Sequence, residues 1–232
     1  MKLLTWNIRQ GGGSRLDRIA ATLARHDADT VVLTEYRGAA AGQRLRIVLD
    51  GLGYPHLSAV IPPPGRNGVL IASRYLFRDG GVICPILPEP WKLLGVEFPG
   101  FTLTGVYVPN LLKKVPYWQA LIHALSLCAD RPAIALGDFN TCRAYLDETG
   151  ASDVTAHLMD AMEAIGFIDA WRRSYPDGRE FSWFSTRGNG FRIDHVFCSG
   201  PLIGCIEGIR YAHEDRISGI SDHAPLILDL AL

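Results

Sequence analysis

Short apolar runs alternate along the chain with segments that carry apolar residues at helical spacing. Most of the short runs end at glycine, proline or polar residues, which is typical of buried strands. Nine such runs predict strands, at residues 3–8, 31–33, 69–72, 93–98, 101–108, 133–136, 181–185, 193–198 and 226–232. Residues 93–98 and 101–108 flank Pro99-Gly100 and predict a hairpin.

Four segments show the helical pattern, at residues 15–25, 43–52, 116–127 and from Ser152 to about residue 165. Ser14 is the predicted N-cap of the first helix, and Ser152 is the predicted N-cap of the fourth, which Gly166 ends. Strands and helices are interspersed, and no repeat or linker divides the chain. We therefore expect one α/β domain over residues 1–232. A pair of sheets with helices outside fits the strand count better than one doubly wound sheet.

Composition limits the function classes. Hydrophobic residues make up 48% of the 232 residues, so a sizeable core is possible, and the formal net charge is −1. A nucleic-acid partner would therefore need basic side chains concentrated on one face. Five arginines near a predicted aromatic strand offer such a strip, with a solvated surface as the alternative: Arg172, Arg173, Arg179, Arg187 and Arg192.

The cysteines and the first residues bear on the cellular compartment. Five cysteines without a C-x-x-C pair predict reduced thiols rather than a disulfide framework or a zinc site. The chain begins directly with a strand-like segment, and it has no secretory signal and no apolar stretch that could span a bilayer. We expect a cytoplasmic protein, a monomer, with no membrane partner.

The run at residues 133–136 ends in Gly137-Asp138-Phe139-Asn140. Asp138 and Asn140, two residues apart, would point to the same side of an extended backbone. A carboxylate there can take a proton from water, and an amide can bind an anionic oxygen. The alternative is an Asx turn that closes the strand.

Six predicted strand ends carry polar side chains of the types that phosphate chemistry uses. They are Asn7; Glu35; Tyr107 with Asn110; Asp138 with Asn140; Asp194; and Asp222 with His223. Each has an ordinary alternative, such as a surface acid for Glu35 or a core histidine for His223. Functional sites in α/β folds collect at strand ends, so one shared site explains all six strand ends better than six independent ordinary roles do.

These segments resemble the endonuclease/exonuclease/phosphatase superfamily of metal-dependent phosphoesterases. The matching segments, in the order of the family, are T-W-N-I from Thr5, T-E from Thr34, G-V-L-I-A-S-R from Gly68, G-D-F-N from Gly137, R-I-D-H from Arg192 and S-D-H from Ser221. The resemblance implies a four-layer α/β sandwich of two mixed β-sheets flanked by helices, with the site at one end.

Two further segments are similar to the branch of exonuclease III and the apurinic/apyrimidinic endonucleases. They are Y-V-P-N from Tyr107, and F-S-W-F-S from Phe181 followed by F-R-I-D from Phe191. The resemblance implies a small pocket for a base-less sugar, formed by Trp183, Phe191 and Ile193. The alternative is that these are ordinary core residues.

The site is rich in oxygen ligands, which suit Mg²⁺ or Mn²⁺. We expect Glu35, Asn7 and Asp222 to hold the ion. Asp138 would activate the attacking water and Asn140 would position it. His223 would bond a phosphate oxygen while Asp194 bonds its other ring nitrogen. Tyr107 and Asn110 would donate to the phosphate. In a two-metal alternative, Asp138, Asn140 and His223 become ligands.

The resemblance implies a DNA nuclease that cleaves abasic sites, trims 3′ ends or does both. Arg9 departs from the small or acidic residue of the branch, and the loops after Asn110 and Ser185 are short. These departures leave a phosphoesterase acting on RNA, lipid head groups or small phosphodiesters as an alternative. A non-catalytic nucleic-acid-binding module is a second alternative.

Overall fold

Two six-stranded sheets form the centre of the computed structural model, which describes residues 1–150 and 153–232. The strands are β1 Lys2–Asn7, β2 Thr30–Tyr36, β3 His56–Ser58, β4 Gly68–Ser73, β5 Arg78–Val82, β6 Leu93–Phe98, β7 Phe101–Tyr107, β8 Ala133–Asp138, β9 Phe167–Asp169, β10 Trp183–Phe184, β11 Gly190–Phe191, β12 Asp194–Ser199, β13 Ile206–Tyr211 and β14 Leu226–Leu230. The helices are α1 Leu16–His26, α2 Ala39–Gly51, α3 Val115–Ser126, α4 His157–Ala164, α5 Ala170–Ser174 and α6 His213–Ile217.

The first sheet has the strand order β13-β14-β1-β2-β4-β3, and the second has the order β5-β6-β7-β8-β12-β9. Both sheets are mixed, since β1 pairs with β2 and β7 pairs with β8 in parallel, whereas the other pairs are antiparallel. Strands β10 and β11 form a separate small hairpin. The predicted pair of sheets, rather than one doubly wound sheet, is confirmed.

Period-two alternation along the strands divides the core into three layers. In β1, Leu3 faces a central core shared by the two sheets, whereas Leu4 packs with the apolar faces of α1 and α2. In β8, Ile134 faces the same central core, and Ala135 packs with α3 and α4. Helix, sheet, sheet and helix therefore form four layers, as predicted.

Parallel pairing brings polar strand ends to one edge of the molecule. Asn7 at the end of β1 lies opposite Thr34 of β2, and Tyr107 at the end of β7 lies opposite Asp138 of β8. Asp194 at the start of the antiparallel β12 also lies opposite Asp138. Because Asn7 of the first sheet donates a hydrogen bond to Asp138 of the second, these polar strand ends of the two sheets lie on the same side.

Several predicted boundaries are wrong. The strand predicted at residues 181–185 is reduced to the two residues of β10, and Ile193 precedes β12 rather than belonging to it. Ser14 lies in a short 3-10 helix before α1 and makes no cap hydrogen bond, so it is not the N-cap. The predicted cap Ser152 lies outside the described residues, and α4 begins at His157.

Within the described residues, all five cysteines are free thiols. None of the helices there combines the length and apolar character that a membrane crossing requires.

Candidate active site

A cavity of about 620 Å³ opens where the strand ends meet. Ten of the twelve predicted site residues line it: Glu35, Tyr107, Asn110, Asp138, Asn140, Trp183, Phe191, Ile193, Asp222 and His223. The two that do not line it, Asn7 and Asp194, are hydrogen-bonded to residues that do. Side chains from the first strand to the segment before the last one therefore meet at one place.

Gly137 allows Asp138 to reach this position. Its φ is +151°, and a Cβ atom there would lie 1.8 Å from the carbonyl oxygen of Val106 on the neighbouring strand. Only glycine permits this approach of β7 to β8. The chain then turns, and Asp138 Oδ1 accepts the backbone N–H of Asn140 at 3.0 Å. The Asx turn is therefore present, and the active-site interpretation of Asp138 stays a prediction that is compatible with it.

Asp138 is a buried carboxylate with few compensating partners. Its Oδ2 accepts a hydrogen bond from Asn7 Nδ2 at 2.9 Å. Burial, followed by repulsion from Asp194, raises the pKa of Asp138 to about 7, although His223 and the Asn7 hydrogen bond oppose the rise. The pKa of Asp138 thus lies above that of an ordinary surface aspartate.

Asp194 and His223 form a buried pair. Asp194 Oδ2 lies 2.8 Å from His223 Nδ1, so the other ring nitrogen is left for the cavity that His223 lines. Burial works against the charged imidazole, but the Asp194 carboxylate outweighs it and raises the pKa of His223 to about 9. Asp194 Oδ1 is buried and has no hydrogen-bond partner among the described residues.

Asn7 connects two carboxylates at the base of the cavity. Its Nδ2 donates to Glu35 Oε1 at 3.3 Å as well as to Asp138, while its Oδ1 accepts the N–H of Arg9 at 2.9 Å. Glu35 adopts a left-handed φ of +58°, and its Oε2 accepts the N–H of Gln10 at 2.7 Å. The loop that contains Arg9 therefore wraps around Glu35 and fixes its orientation.

The residues predicted to form a sugar pocket make an apolar wall. The rings of Trp183 and Phe191 lie 5.7 Å apart, on facing positions of the β10–β11 hairpin. Trp183 Nε1 donates to Asp222 Oδ2 at 3.3 Å, and the Trp183 ring lies 6.3 Å from that of His223. Ile193 is almost fully buried beside them. The apolar wall is thus joined to the polar part of the site by the hydrogen bond between Trp183 and Asp222.

Tyr107 is held by two residues that the sequence analysis did not select. Asn67 Nδ2 donates to the Tyr107 hydroxyl at 3.5 Å, and Lys92 Nζ lies 4.4 Å from the centre of its ring. Burial, with the nearby carboxylates, raises the pKa of Tyr107 well above its ordinary value, so this phenol keeps its proton. Asn110 lies on the exposed rim of the cavity.

Lys114 is the most prominent functional candidate missed from the sequence. It is buried in the short 3-10 helix Leu111–Lys114, where its ammonium donates to the carbonyl of Asn140 and to Asp153 Oδ2, the latter at 2.8 Å. Lys114, Asp153 and Thr155 also line the cavity. The only sequence signal was a lysine close after Asn110.

The predicted arginine strip is only partly present. Arg192 is fully buried between Asp147 and Asp169, and Arg172 pairs with Asp147. Arg173, Arg179 and Arg187 remain exposed. Arg172 and Arg192 therefore do not belong to an exposed basic strip, because carboxylates that are distant in sequence pair with them.

The donor atoms present fit a hard divalent cation. Glu35 and Asp222 direct carboxylates to the cavity, and the buried Asp194 Oδ1 lacks a hydrogen-bond partner among the described residues. Ligand atoms of Asp138, Asp194 and His223 lie within 4.8 Å of one another; the predicted two-metal alternative names Asp138 and His223 but has Asn140 in place of Asp194, and it stays a prediction. Carboxylate oxygens are the ligands that Mg²⁺ and Mn²⁺ prefer.

A two-sheet sandwich with carboxylates, amides and an imidazole at one end defines the class of this protein. Residues 4–223 match the model of the Endonuclease/Exonuclease/phosphatase family, and the chain belongs to that family. It is a hydrolytic enzyme, and the predicted family is confirmed.

Two known proteins resemble the chain in sequence, one of them over almost its whole length. The exodeoxyribonuclease of Bacillus subtilis (strain 168) is 26% identical, with 98% of each chain covered. The DNA repair nuclease APEX1 of Danio rerio is 28% identical over 61% of this chain and 52% of its own length.

Two solved structures align with all of the chain and are themselves fully covered. An AP endonuclease from Archaeoglobus fulgidus has a TM-score of 0.88 at 21% identity, which shows the fold alone. The 3′-5′ exonuclease NExo from Neisseria meningitidis has a TM-score of 0.87 at 26% identity.

Proposed function

We propose that this protein is a divalent-metal-dependent nuclease that hydrolyses phosphodiester bonds of DNA, at abasic sites, at 3′ ends or at both. The observation that carries the proposal is the meeting of Asp138, the Asp194–His223 pair, Glu35 and Asp222 at one cavity. The names of the relatives, an exodeoxyribonuclease and a DNA repair nuclease, support DNA as the substrate.

The cation would be held by Glu35 and Asp222, with Asn7 beside them. When bound, Mg²⁺ or Mn²⁺ polarises a phosphate oxygen and neutralises charge that grows on the leaving group. Asn7 donates hydrogen bonds to both Glu35 and Asp138, which keeps the cation-binding carboxylate and the proposed base at a fixed separation. That the side-chain oxygen of Asn7 also binds the cation stays a prediction.

Asp138 is the proposed general base, which takes a proton from the attacking water. Asn140 would position that water or the phosphate; its Nδ2 already donates to the carbonyl of Val108, which fixes the amide plane. Because Asp138 is buried, its carboxylate is shielded from bulk water, and the proton would pass from the attacking water directly to Asp138.

His223 would donate to a phosphate oxygen through the ring nitrogen that faces the cavity. Asp194 fixes the orientation and the charge of that ring. Tyr107, held by Asn67, and the exposed Asn110 would donate to the same phosphate group. These donors stabilise charge that develops on the phosphate in the transition state.

We further propose that residues 1–232 act as one domain, and as a cytoplasmic monomer. The support for one domain is the central core that side chains of both sheets share. A second candidate, hydrolysis of RNA or small phosphodiesters, is favoured by the net charge of −1 and by the ion pairs that hold Arg172 and Arg192 on buried carboxylates.

Cleavage of four substrates with and without EDTA tests the proposal: a duplex with one abasic site, a DNA single strand, RNA and a chromogenic diester. We expect metal-dependent cleavage of DNA that Glu35→Ala lowers at least about 100-fold, since the variant loses a carboxylate of the cation site. Glu207→Ala, at an exposed glutamate on β13, is the matched control. Full turnover by Glu35→Ala, or cleavage of RNA alone, would refute this assignment.

A further inference from the structure

Three strongly exposed apolar side chains lie on the rim of the candidate active site. Leu111, Leu112 and Val154 are 80%, 67% and 77% exposed, and all three line the cavity that contains Asp138 and His223. We call these three residues the apolar rim. Exposed apolar side chains that are grouped around one cleft are characteristic of a contact surface rather than of scattered surface positions.

The cavity has a second apolar surface, formed by Trp183, Phe191 and Ile193. The two sets come from separate segments of the chain, since the apolar rim comes from residues 111–112 and 154 and the second surface comes from residues 183–193. A volume of about 620 Å³ lies within the range of pockets that enclose most of a drug-sized ligand. The cavity therefore has apolar side chains from two separate sets as well as the proposed catalytic residues.

The apolar rim is fixed relative to the proposed catalytic residues. Lys114 ends the 3-10 helix that contains Leu111 and Leu112, and Asp153 directly precedes Val154. The Lys114 ammonium pairs with Asp153 and also donates to the carbonyl of Asn140. Asp153 Oδ1 in turn accepts the N–H of Thr155 at 2.9 Å. One buried cation therefore joins both parts of the rim to the Asn140 loop.

A nucleobase is the ligand whose chemistry fits two apolar surfaces beside a phosphate site. Each base has an apolar π face that side chains can contact whatever the sequence, and leucine is among the residues that pack against unstacked bases. Lys113, between Leu112 and Lys114, is exposed, and a lysine next to the cavity can contact a backbone phosphate. In an intact duplex, stacked neighbours cover these faces.

We propose that the cavity binds an unpaired nucleobase, on the nucleotide at the scissile phosphate, between the apolar rim and the Trp183 surface. Single-stranded or frayed DNA is then the preferred substrate, and a base at this nucleotide improves binding. This inference rests on the proposed nuclease function and narrows its substrate class from DNA with abasic sites or 3′ ends to single-stranded or frayed DNA.

The test uses one DNA strand in three forms: single-stranded, in a blunt duplex, and single-stranded with a tetrahydrofuran in place of the nucleotide at the scissile phosphate. KM and kcat are measured for the wild type, Leu112→Ser and Leu127→Ser. Leu127 is the matched control because it is 68% exposed, against 67% for Leu112, and does not line the cavity.

We expect wild-type KM to be lowest for the intact single strand. Leu112→Ser should raise that KM about 10-fold, which corresponds to about 1.4 kcal/mol. The same variant should change KM for the tetrahydrofuran strand less than about twofold, since no base is there to lose contact. Leu127→Ser should match the wild type on all three forms.

Equal KM values for the single strand and the blunt duplex would overturn the inference and leave the nuclease function intact. So would an effect of Leu112→Ser that is the same with and without the base. Sedimentation of the wild type, but not of Leu111→Ser/Leu112→Ser, with phosphatidylglycerol vesicles, while cleavage by both is unchanged, would assign the rim to a lipid surface instead. Failure of the wild type to cleave any strand with Mg²⁺ or Mn²⁺ would refute the proposed function itself.

Discussion

The pair Asp194–His223 shows how one side chain acts through another. His223 is buried, and its backbone carbonyl accepts a hydrogen bond from Trp6 Nε1 at 2.9 Å, which fixes the main chain. Asp194 Oδ2 then fixes the ring at Nδ1. Because His223 lines the cavity and Asp194 does not, we propose that Asp194 is a positioning residue whose effect on the reaction depends on the imidazole.

A double-mutant cycle tests this dependence. His223→Ala and Asp194→Asn should each lower kcat by about 10²–10³-fold, the usual loss of one charge-stabilising donor, or about 2.7–4 kcal/mol. The double variant should be no more than a few-fold slower than His223→Ala, since the two residues act as one unit. Single-turnover cleavage of a DNA strand gives the rates.

Asp160→Asn, at an exposed aspartate of α4, is the control and should keep wild-type rates. Additive losses in the double variant would show that Asp194 acts on the reaction without His223, for example as a cation ligand.

At this scale, the sequence revealed residues whose side-chain chemistry is unusual at a strand end, such as Glu35 and His223. It did not reveal Lys114, because a lysine is ordinarily exposed and nothing near it in sequence indicates burial. Its partners, Asn140 and Asp153, are 26 and 39 residues away along the chain. Contacts of this kind arise only from the tertiary structure.

Among the elements, β8 determines the position of the site. It pairs in parallel with β7 and antiparallel with β12, so Asp138 lies opposite both Tyr107 and Asp194. The backbone approach at Gly137 permits this register. The geometry of three strands therefore depends on the absence of one side chain.

Gly137→Ala should lower the free energy of unfolding by roughly 1–3 kcal/mol, because the new Cβ must displace the backbone of Val106. It should also lower kcat, since Tyr107 and Asp138 lie directly beyond this contact. Denaturant unfolding and cleavage assays measure the two effects.

Gly51→Ala is the matched control, because no atom lies within 4 Å of a Cβ placed at this end of α2. A Gly137→Ala variant with the stability of Gly51→Ala would show that β7 and β8 can separate without cost.

Long elements were predictable because their apolar period extends over many residues. The short strands β3, β9, β10 and β11 have two or three residues each, too few to show alternation. Strand β5, with the sequence R-D-G-G-V, is mostly polar and lies at the edge of its sheet, where burial does not impose a pattern. Tertiary pairing, rather than local sequence, forms these elements.

For the whole molecule, a buried ion network links β12, β9 and the loop after Asn140. Arg192 pairs with Asp169 at 2.7 Å and with Asp147 at 2.8 Å, and all three are fully buried. His195 Nε2 lies 2.8 Å from the carbonyl of Thr141, next to Asn140. Burial would raise the pKa of Asp169, but the Arg192 guanidinium holds it well below 3.8.

The lowered pKa of Asp169 makes the free energy of unfolding depend on pH in a predictable direction. Asp169 stabilises the fold above its unfolded pKa, and this contribution is lost as the pH falls through the lower folded value. Asp169→Asn should therefore lower the free energy of unfolding by about 3–5 kcal/mol at pH 7, because it leaves Arg192 with one fewer counter-charge. The difference from the wild type should shrink below about pH 4.

Chemical unfolding from pH 7 to pH 3 measures this difference. Asp130→Asn, whose side chain is 88% exposed, should follow the wild type at every pH. A difference that stays constant down to pH 3 would mean that Asp169 keeps its ordinary pKa in the folded protein. The wild type should unfold in one transition by fluorescence and by activity, as the single-domain proposal requires.

The order in which the chain supplies its site matters during synthesis. Glu35 and Asp138 come from β2 and β8, but His223 comes just before β14, which closes the first sheet between β13 and β1. A nascent chain on the ribosome therefore has Glu35 and Asp138 long before it has Asp222 and His223. Until β14 docks, the proposed active site is therefore incomplete.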